Sequence, residues 1–311
     1  MKLIHTLLPS VLLLTTLPGL AQNQTRKEKA EKLINAIQIP QNLSRTPTAP
    51  ADNVSAQCLR LSESLTTLDP NTRQPMKVTL TTYLGPKTSK TVIVLPPTGG
   101  VSFLDHEYAN RFCEAGMTAI ILESWEGNEI VTLQPEMHDQ NALRAIAAVR
   151  SLVATIPQDQ SISVFGNSVG GILGSLVLGT EDRIQSGLFV VAGGNMAEII
   201  ATSTEKGLTK LREARMQALG LKSTQEYRNF LEPRILIDPI DFAQHTANKK
   251  AAFVVSVSDT TVPTQTQYDL AKVWGPGSIF KEGSPGENHV KVIVRTLQEW
   301  LGEVTEFLKS N

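Results

Sequence analysis

Two hydrophobic rhythms alternate along most of this chain. Thr91-Val92-Ile93-Val94-Leu95 and Thr118-Ala119-Ile120-Ile121-Leu122 are short, nearly unbroken apolar runs, the pattern of strands buried on both faces. Ser161 to Phe165, Leu188 to Val191 and Ala252 to Val255 read the same way, and Ser278 to Phe280 is a shorter candidate. Met76 to Leu80 alternates apolar and polar residues, as a half-exposed strand does. Helical stretches fall between these runs, at Leu104 to Ala115, Asp139 to Ala154, Val169 to Leu178, Pro263 to Trp274 and Val290 to Leu308. Asp139 stands where the second of them needs an N-cap. Alternating buried strands and helices predict an α/β fold, with a mostly parallel central sheet, helices on both faces and right-handed crossovers.

The rhythm breaks once. Between the strands near Val190 and Val254 lie about 60 residues, more than a simple crossover needs. Charged, helix-prone sequence such as Lys210-Leu211-Arg212-Glu213-Ala214-Arg215-Met216 fills much of that stretch, which predicts a small helical cap at about 196–240. At the other end, residues 22 to about 37 carry Leu33, Ile34 and Ile37 at helical spacing. Pro47 and Pro50 mark the stretch from Pro40 to Asp52 as a linker or wrapping segment. The division expected is therefore a leader at 1–21, a helix and linker at 22–53, and one domain at 54–311.

The leader reading rests on Met1-Lys2, the apolar run from Leu3 to Leu17, the break at Pro18-Gly19, and small residues at Gly19 and Ala21. That is the pattern of a secretory signal peptide cut after Ala21. His5, Thr6, Pro9 and Ser10 interrupt the run, which makes a membrane span a poorer account. The expected location is periplasmic or secreted, with no stable membrane anchor once the leader is gone. Asn-x-Ser/Thr triplets start at Asn23, Asn42 and Asn53 and would matter only in a glycosylating host.

Composition narrows the picture further. The chain has 311 residues, 41% of them hydrophobic, and a formal net charge of −1, enough apolar content for one large core. A basic face for nucleic acid would show in that charge balance, and it does not. Cys58 and Cys113 are the two cysteines. In an exported protein they either pair or remain buried thiols, and neither has metal-site spacing.

The chemistry centres on Gly166-Asn167-Ser168-Val169-Gly170. This Gly-x-Ser-x-Gly segment follows one predicted strand and opens a predicted helix, the strand–turn–helix setting of a nucleophile elbow. Gly166 and Gly170 would clear the crowded turn, and Ser168 would stand at a helix N-terminus that favours developing negative charge. A serine hydroxyl needs a base, and histidine suits that role near neutral pH. His106 and His138 precede Ser168, while His245 and His289 follow it. His289 ends the turn-rich Gly283-Ser284-Pro285-Gly286-Glu287-Asn288 loop, whereas His245 lies at the opposite end of the sheet, just before Lys249-Lys250. The orienting acid expected is Asp259, on a loop after the strand that ends near Ser256-Val257-Ser258, with Asp269 and Glu287 as the alternatives. Ligands gather at the carboxyl ends of strands in such sheets.

With these residues in place, the sequence from about residue 75 onward resembles the α/β-hydrolase superfamily, closest to exported esterases and dienelactone-hydrolase-like proteins. The elbow at Ser168 matches, as do Asp259-Thr260-Thr261-Val262-Pro263 and Asp238-Pro239 with Phe242-Ala243. The order Ser168, Asp259, His289 is the one this resemblance implies. It also implies an oxyanion hole after the third strand, where Pro96-Pro97-Thr98-Gly99-Gly100 puts Thr98 in the usual histidine place. The expected donors are the amides of Gly100 and Val169. Dienelactone hydrolases themselves use Cys where this chain has Ser168. The activity implied is hydrolysis of a small-molecule ester through an acyl-enzyme, without metal or organic cofactor. Amide hydrolysis or acyl transfer would use the same groups, and a non-catalytic binding protein could keep the fold. Trp125 and Met196 are candidates to line an acyl pocket.

Overall fold

The computed structural model describes residues 18–86, 89–97, 100–125, 137–243 and 249–310. The predicted leader up to Leu17, Thr98-Gly99 and His245 lie outside them, and Trp125 is described only in its backbone.

The elements in chain order are α1 (Pro18–Asn35), β1 (Thr46–Pro47), β2 (Asp52–Asn53), β3 (Leu59–Leu68), β4 (Pro75–Leu84), β5 (Lys90–Leu95), α2 (Phe103–Glu114), β6 (Thr118–Trp125), α3 (Met137–Ala154), β7 (Ser161–Asn167) and α4 (Val169–Thr180). They continue as β8 (Ile184–Val190), α5 (Met196–Thr202), α6 (Lys206–Leu219), α7 (Thr224–Leu231), α8 (Pro239–Ala243), β9 (Lys250–Val255), α9 (Thr264–Trp274), β10 (Ile279–Glu282), α10 (His289–Gln298) and α11 (Leu301–Ser310). The strands form one sheet in the order β1-β3-β4-β6-β5-β7-β8-β9-β10, with β2 beside β3. From β6 to β10 every neighbouring pair is parallel, while β4 runs antiparallel to both β3 and β6. The parallel strands therefore all end at one edge, and the loops after β5, β7, β8 and β9 meet there.

Strand alternation divides the interior into two cores. Ile93 and Leu95 of β5, Val164 of β7 and Phe253 of β9 face a core built with α3, α4 and α9. Val92, Val94, Phe165 and Val254 face the other, with Tyr108 and Phe112 of α2 and Val292, Ile293, Val304 and Leu308 of α10 and α11. Fully burying each of these large side chains is worth roughly 1.5–3 kcal/mol. The expected cap segment is helical, as α5 to α8, and Met196, Tyr227, Leu231, Ile235 and Ile237 merge into the first core rather than enclosing one of their own.

Several local expectations are corrected. β3, an entire ten-residue strand, has no counterpart in the predicted elements. The predicted terminal helix is two helices, α10 and α11, broken at Glu299-Trp300. Asp139 lies inside α3 rather than capping it, and its carboxylate accepts from the amides of Leu236 (2.9 Å) and Ile237 (2.9 Å). Of the two alternatives left open for the cysteines, the structure has pairing: Cys58 and Cys113 form a disulfide that joins the start of β3 to the last turn of α2. Because Leu59 pairs with Leu84 at the start of the β3–β4 ladder and Tyr83 with Ala119 at the start of β6, that bond lies at the sheet edge opposite the loops after β5, β7 and β9.

The N-terminal helix is docked by specific contacts. Ala30 and Ile34 are buried in the first core, and the Arg26 guanidinium grips Asp241 of α8 through two bonds of 2.9 Å. Arg150 of α3 donates to the Ile34 carbonyl (2.8 Å) at the other end of the helix.

Candidate active site

Ser168 sits between β7 and α4 with φ 54° and ψ −124°, a backbone conformation that costs a non-glycine residue about 1–3 kcal/mol and persists only where neighbours impose it. Here they do. A Cβ on Gly166 would collide with the carbonyl of Gly170, and one on Gly170 would collide with the carbonyls of Leu95 and Pro96. The elbow is thus wedged against the end of β5, and only glycine at both positions permits the approach. The Ser168 amide donates to Val190 O (2.8 Å), and the Ser168 carbonyl accepts from Ile172 in the first turn of α4. Val191, just after β8, also has positive φ (49°), a rare state for a β-branched residue, and its amide is held by Val254 O at 2.8 Å.

Asp259 follows β9 at the same edge, with its side chain wholly buried. Its Oδ1 accepts from the amides of Thr261 (2.8 Å) and Val262 (3.1 Å). Its Oδ2 receives His289 Nδ1 at 2.6 Å. A carboxylate only accepts, so Nδ1 is the donor here, and in the neutral ring Nε2 is then the lone-pair acceptor. His289 opens α10 beneath an Asn288 cap, whose side chain accepts from the Lys291 amide. Ser168, Asp259 and His289 are all largely buried at this edge, each no more than 9% exposed.

The alternative acids are engaged elsewhere. Asp269 accepts from Gln265 one turn away on the exposed side of α9. Glu287 accepts from the Ser284 amide and pairs with Arg295 at 2.9 Å; these contacts hold its carboxyl below the usual range, the Ser284 amide contributing most. Of the other histidines, His106 shares a 3.0 Å bond with Tyr83 Oη and His138 bonds the Ile237 carbonyl at 3.2 Å.

Sequence reasoning missed the residue that fixes the acid. Gln267, fully buried on α9, donates to Asp259 Oδ2 (2.8 Å) and Val262 O (2.7 Å) and accepts from the Ser256 amide (3.0 Å). It ties the end of β9, the acid loop and the carboxylate into one unit. Two further bonds join the acid and histidine loops, Ser256 Oγ to Glu287 O (2.9 Å) and Gly286 N to Ser258 Oγ (2.9 Å). Asp238 has a comparable role on the loop after β8, where its carboxylate accepts from Asn195, Met196 and Ile240 amides. Met196, expected near an acyl pocket, is 7% exposed and packs in the first core.

The loop after β5 and the start of α4 supply the remaining candidates. Gly100 has φ 91°, and its amide closes a turn onto Pro97 O at 3.3 Å, a long bond. Val169 is the first residue of α4, where amides have no acceptor within the helix. The arrangement places a strained serine and a bonded Asp259–His289 pair at one sheet edge; among the described residues the hydrogen bond of His289 runs to Asp259, and none is made between Ser168 and His289.

No family model matches the sequence, and no curated protein matches it. Solved structures do. The acetyl xylan esterase from Paenibacillus sp. R4 superposes with a TM-score of 0.65 at 14% identity, over 91% of this chain and 93% of that one. Acetyl xylan esterase 1 from Thermoanaerobacterium sp. JW/SL YS485 gives 0.64 at 11% identity, over 94% and 99%. An esterase from Pyrococcus furiosus gives 0.55 at 17% identity, over 80% and 90%. These likenesses lie in the fold: the chain has the α/β-hydrolase fold, a mostly parallel central sheet flanked by helices.

Proposed function

We propose that this protein is a serine hydrolase that cleaves carboxylic esters through an acyl-enzyme on Ser168. The observation that carries the reading is the 2.6 Å bond between His289 Nδ1 and buried Asp259, at the edge where the strained elbow presents Ser168. His289 Nε2 takes the Ser168 proton as the hydroxyl attacks the ester carbonyl, and then passes it to the departing alcohol. Asp259 holds the tautomer and stabilises the imidazolium. Water repeats the sequence in reverse order to free the acid. The Val169 amide faces the developing oxyanion from the start of α4, and the Gly100 amide joins it by leaving its long bond to Pro97. Each such donor is worth about 3–4 kcal/mol in the transition state.

The substrate class favoured is a small-molecule ester with a short acyl group, since two of the solved relatives are named acetyl xylan esterases. Export to the periplasm or beyond is supported by the apolar leader and by the Cys58–Cys113 disulfide, a bond that persists in oxidising compartments. A fluorophosphonate probe and a series of esters test the assignment. Wild-type protein should label and hydrolyse acetate esters, while Ser168→Ala should not label and should lose about a thousandfold or more in kcat. A folded wild type that fails to label, or equal labelling of Ser168→Ala, overturns it.

A further inference from the structure

We infer that Phe103 and Val290 form an apolar platform for the alcohol portion of the ester, so that this enzyme prefers bulky apolar alcohols over short ones. The inference rests on the serine-hydrolase reading above. Among the described residues, six large hydrophobic side chains are exposed; four of them, Leu33, Leu84, Leu219 and Ile279, lie between 39% and 45%. Phe103 at 78% and Val290 at 59% stand apart. Both open a helix, Phe103 as the first residue of α2 and Val290 as the second of α10.

The two helices pack side by side on the same face of the sheet, and Tyr108 Oη donates to Ile293 O at 2.9 Å, which fixes their register. Each helix rises about 1.5 Å per residue, so both starts lie within two turns of that bond and on the same side of it. That side is the edge bearing Ser168. α2 is entered from the loop after β5, whose Pro96 carbonyl abuts the elbow at Gly170, and α10 begins with His289 itself.

Chemistry decides which half of the substrate meets them. The departing alcohol oxygen takes its proton from His289 Nε2, so it must leave within hydrogen-bond reach of that ring. Whatever the oxygen carries projects over the rim beside His289. Val290 adjoins His289 in the chain, and Phe103 ends the loop on the other side. An apolar or ring-bearing alcohol would cover both side chains, and the surface they lose to water would favour its transition state over that of a short alcohol.

The test compares kcat/KM for benzyl acetate and ethyl acetate in wild type, Phe103→Ala, Val290→Ser and Leu84→Ala. Intrinsic ester reactivity cancels in the comparison between enzymes. The benzyl-to-ethyl preference should fall about tenfold in Phe103→Ala, within the range for loss of an apolar contact, and by a smaller factor in Val290→Ser. It should not move in Leu84→Ala, an exposed apolar site at the opposite sheet edge. Replacing acetate by butyrate should leave the size of the Phe103→Ala penalty as it was. Equal penalties on both alcohols, no penalty, or a penalty that follows acyl length would each overturn the platform. Failure of the serine reading would show earlier and separately, as wild type hydrolysing neither ester or Ser168→Ala hydrolysing both.

Discussion

Removing the Cys58–Cys113 disulfide should weaken the fold without touching catalysis. The bond closes a segment with a sequence separation of 55 residues. In the chain-entropy account, a loop of that length restricts the unfolded chain by about 14 cal/mol/K, or about 4 kcal/mol at 25 °C. Unfolding entropy of about 2.1 cal/mol/K per residue, summed over roughly 280 folded residues, converts this to a fall of about 7 °C in Tm. Both cysteines are buried, so a Cys58→Ala, Cys113→Ala double variant also deletes two core sulfur atoms, and wild type under reductant isolates the share of the bond itself. The bond also sits at the edge farthest from Ser168, at the last turn of α2, while the candidate oxyanion loop meets its first. Calorimetry of the double variant, and of wild type under reductant, should therefore show the Tm fall while kcat on an acetate ester at 25 °C stays within about twofold. Two results would refute the reasoning. One is a Tm change below about 2 °C once loss of the bond is verified by thiol titration. The other is a tenfold loss of kcat in protein that remains folded, which would mean that strain at the far end of α2 reaches the catalytic edge.

Gln267→Leu should cost about 3 kcal/mol in urea unfolding, because the Ser256 amide is left buried without its acceptor. It should also lower kcat/KM about tenfold as Asp259 Oδ2 loses its second donor, and a neutral result in either measurement would remove Gln267 from the positioning role. Gly170→Ala puts a methyl group against the Leu95 and Pro96 carbonyls, so fluorophosphonate labelling should slow at least about a hundredfold; labelling at the wild-type rate would show that the elbow has room. Burial pushes the Asp105 carboxyl up, with the Ser102 donors offsetting part of the effect. A carboxyl raised in the folded state binds its proton more tightly there. Its favourable contribution is thus present at low pH and is lost as pH rises from the ordinary carboxylate range through the raised value. Asp105→Asn should accordingly flatten the dependence of Tm on pH above the ordinary carboxylate range, and an unchanged slope would refute that assignment.

How much of this was legible in the sequence depended on range. β5, β6 and β7 are buried on both faces, so their apolar runs announce them, and the elbow declares itself through glycines that local sterics demand. β3 was not legible because Ser62, Glu63, Ser64, Thr66 and Thr67 dilute its alternation, and because its partners do part of the burying. Asp139 looked like a cap because the rule for caps is local, whereas its carboxylate serves amides 97 and 98 residues downstream. Gln267 fits the polar face of an amphipathic helix in one dimension. Its inward orientation follows from Ser256 and Asp259, which the fold alone brings beside it. Likewise, three acids could have partnered His289 by position. Asp259 does so because Arg295 occupies Glu287 and α9 turns Asp269 outward.

The docking of α1 also sets an order of assembly. Its anchors are distant in the chain, since Arg26 meets Asp241 across 215 residues and Ile34 meets Arg150 across 116. The Arg26 grip cannot close until α8 exists, because loop-closure entropy is spent before so remote a contact returns anything. The parallel sheet, built from neighbouring strand–helix units, can form earlier. A chain threaded outward from its N-terminus would therefore emerge with its first helix waiting and fasten it last, as a clasp on a body already folded. Cleavage after Ala21 would trim residues 18–21 from the start of α1 but keep its anchors, since Arg26, Ala30 and Ile34 all lie beyond the cut.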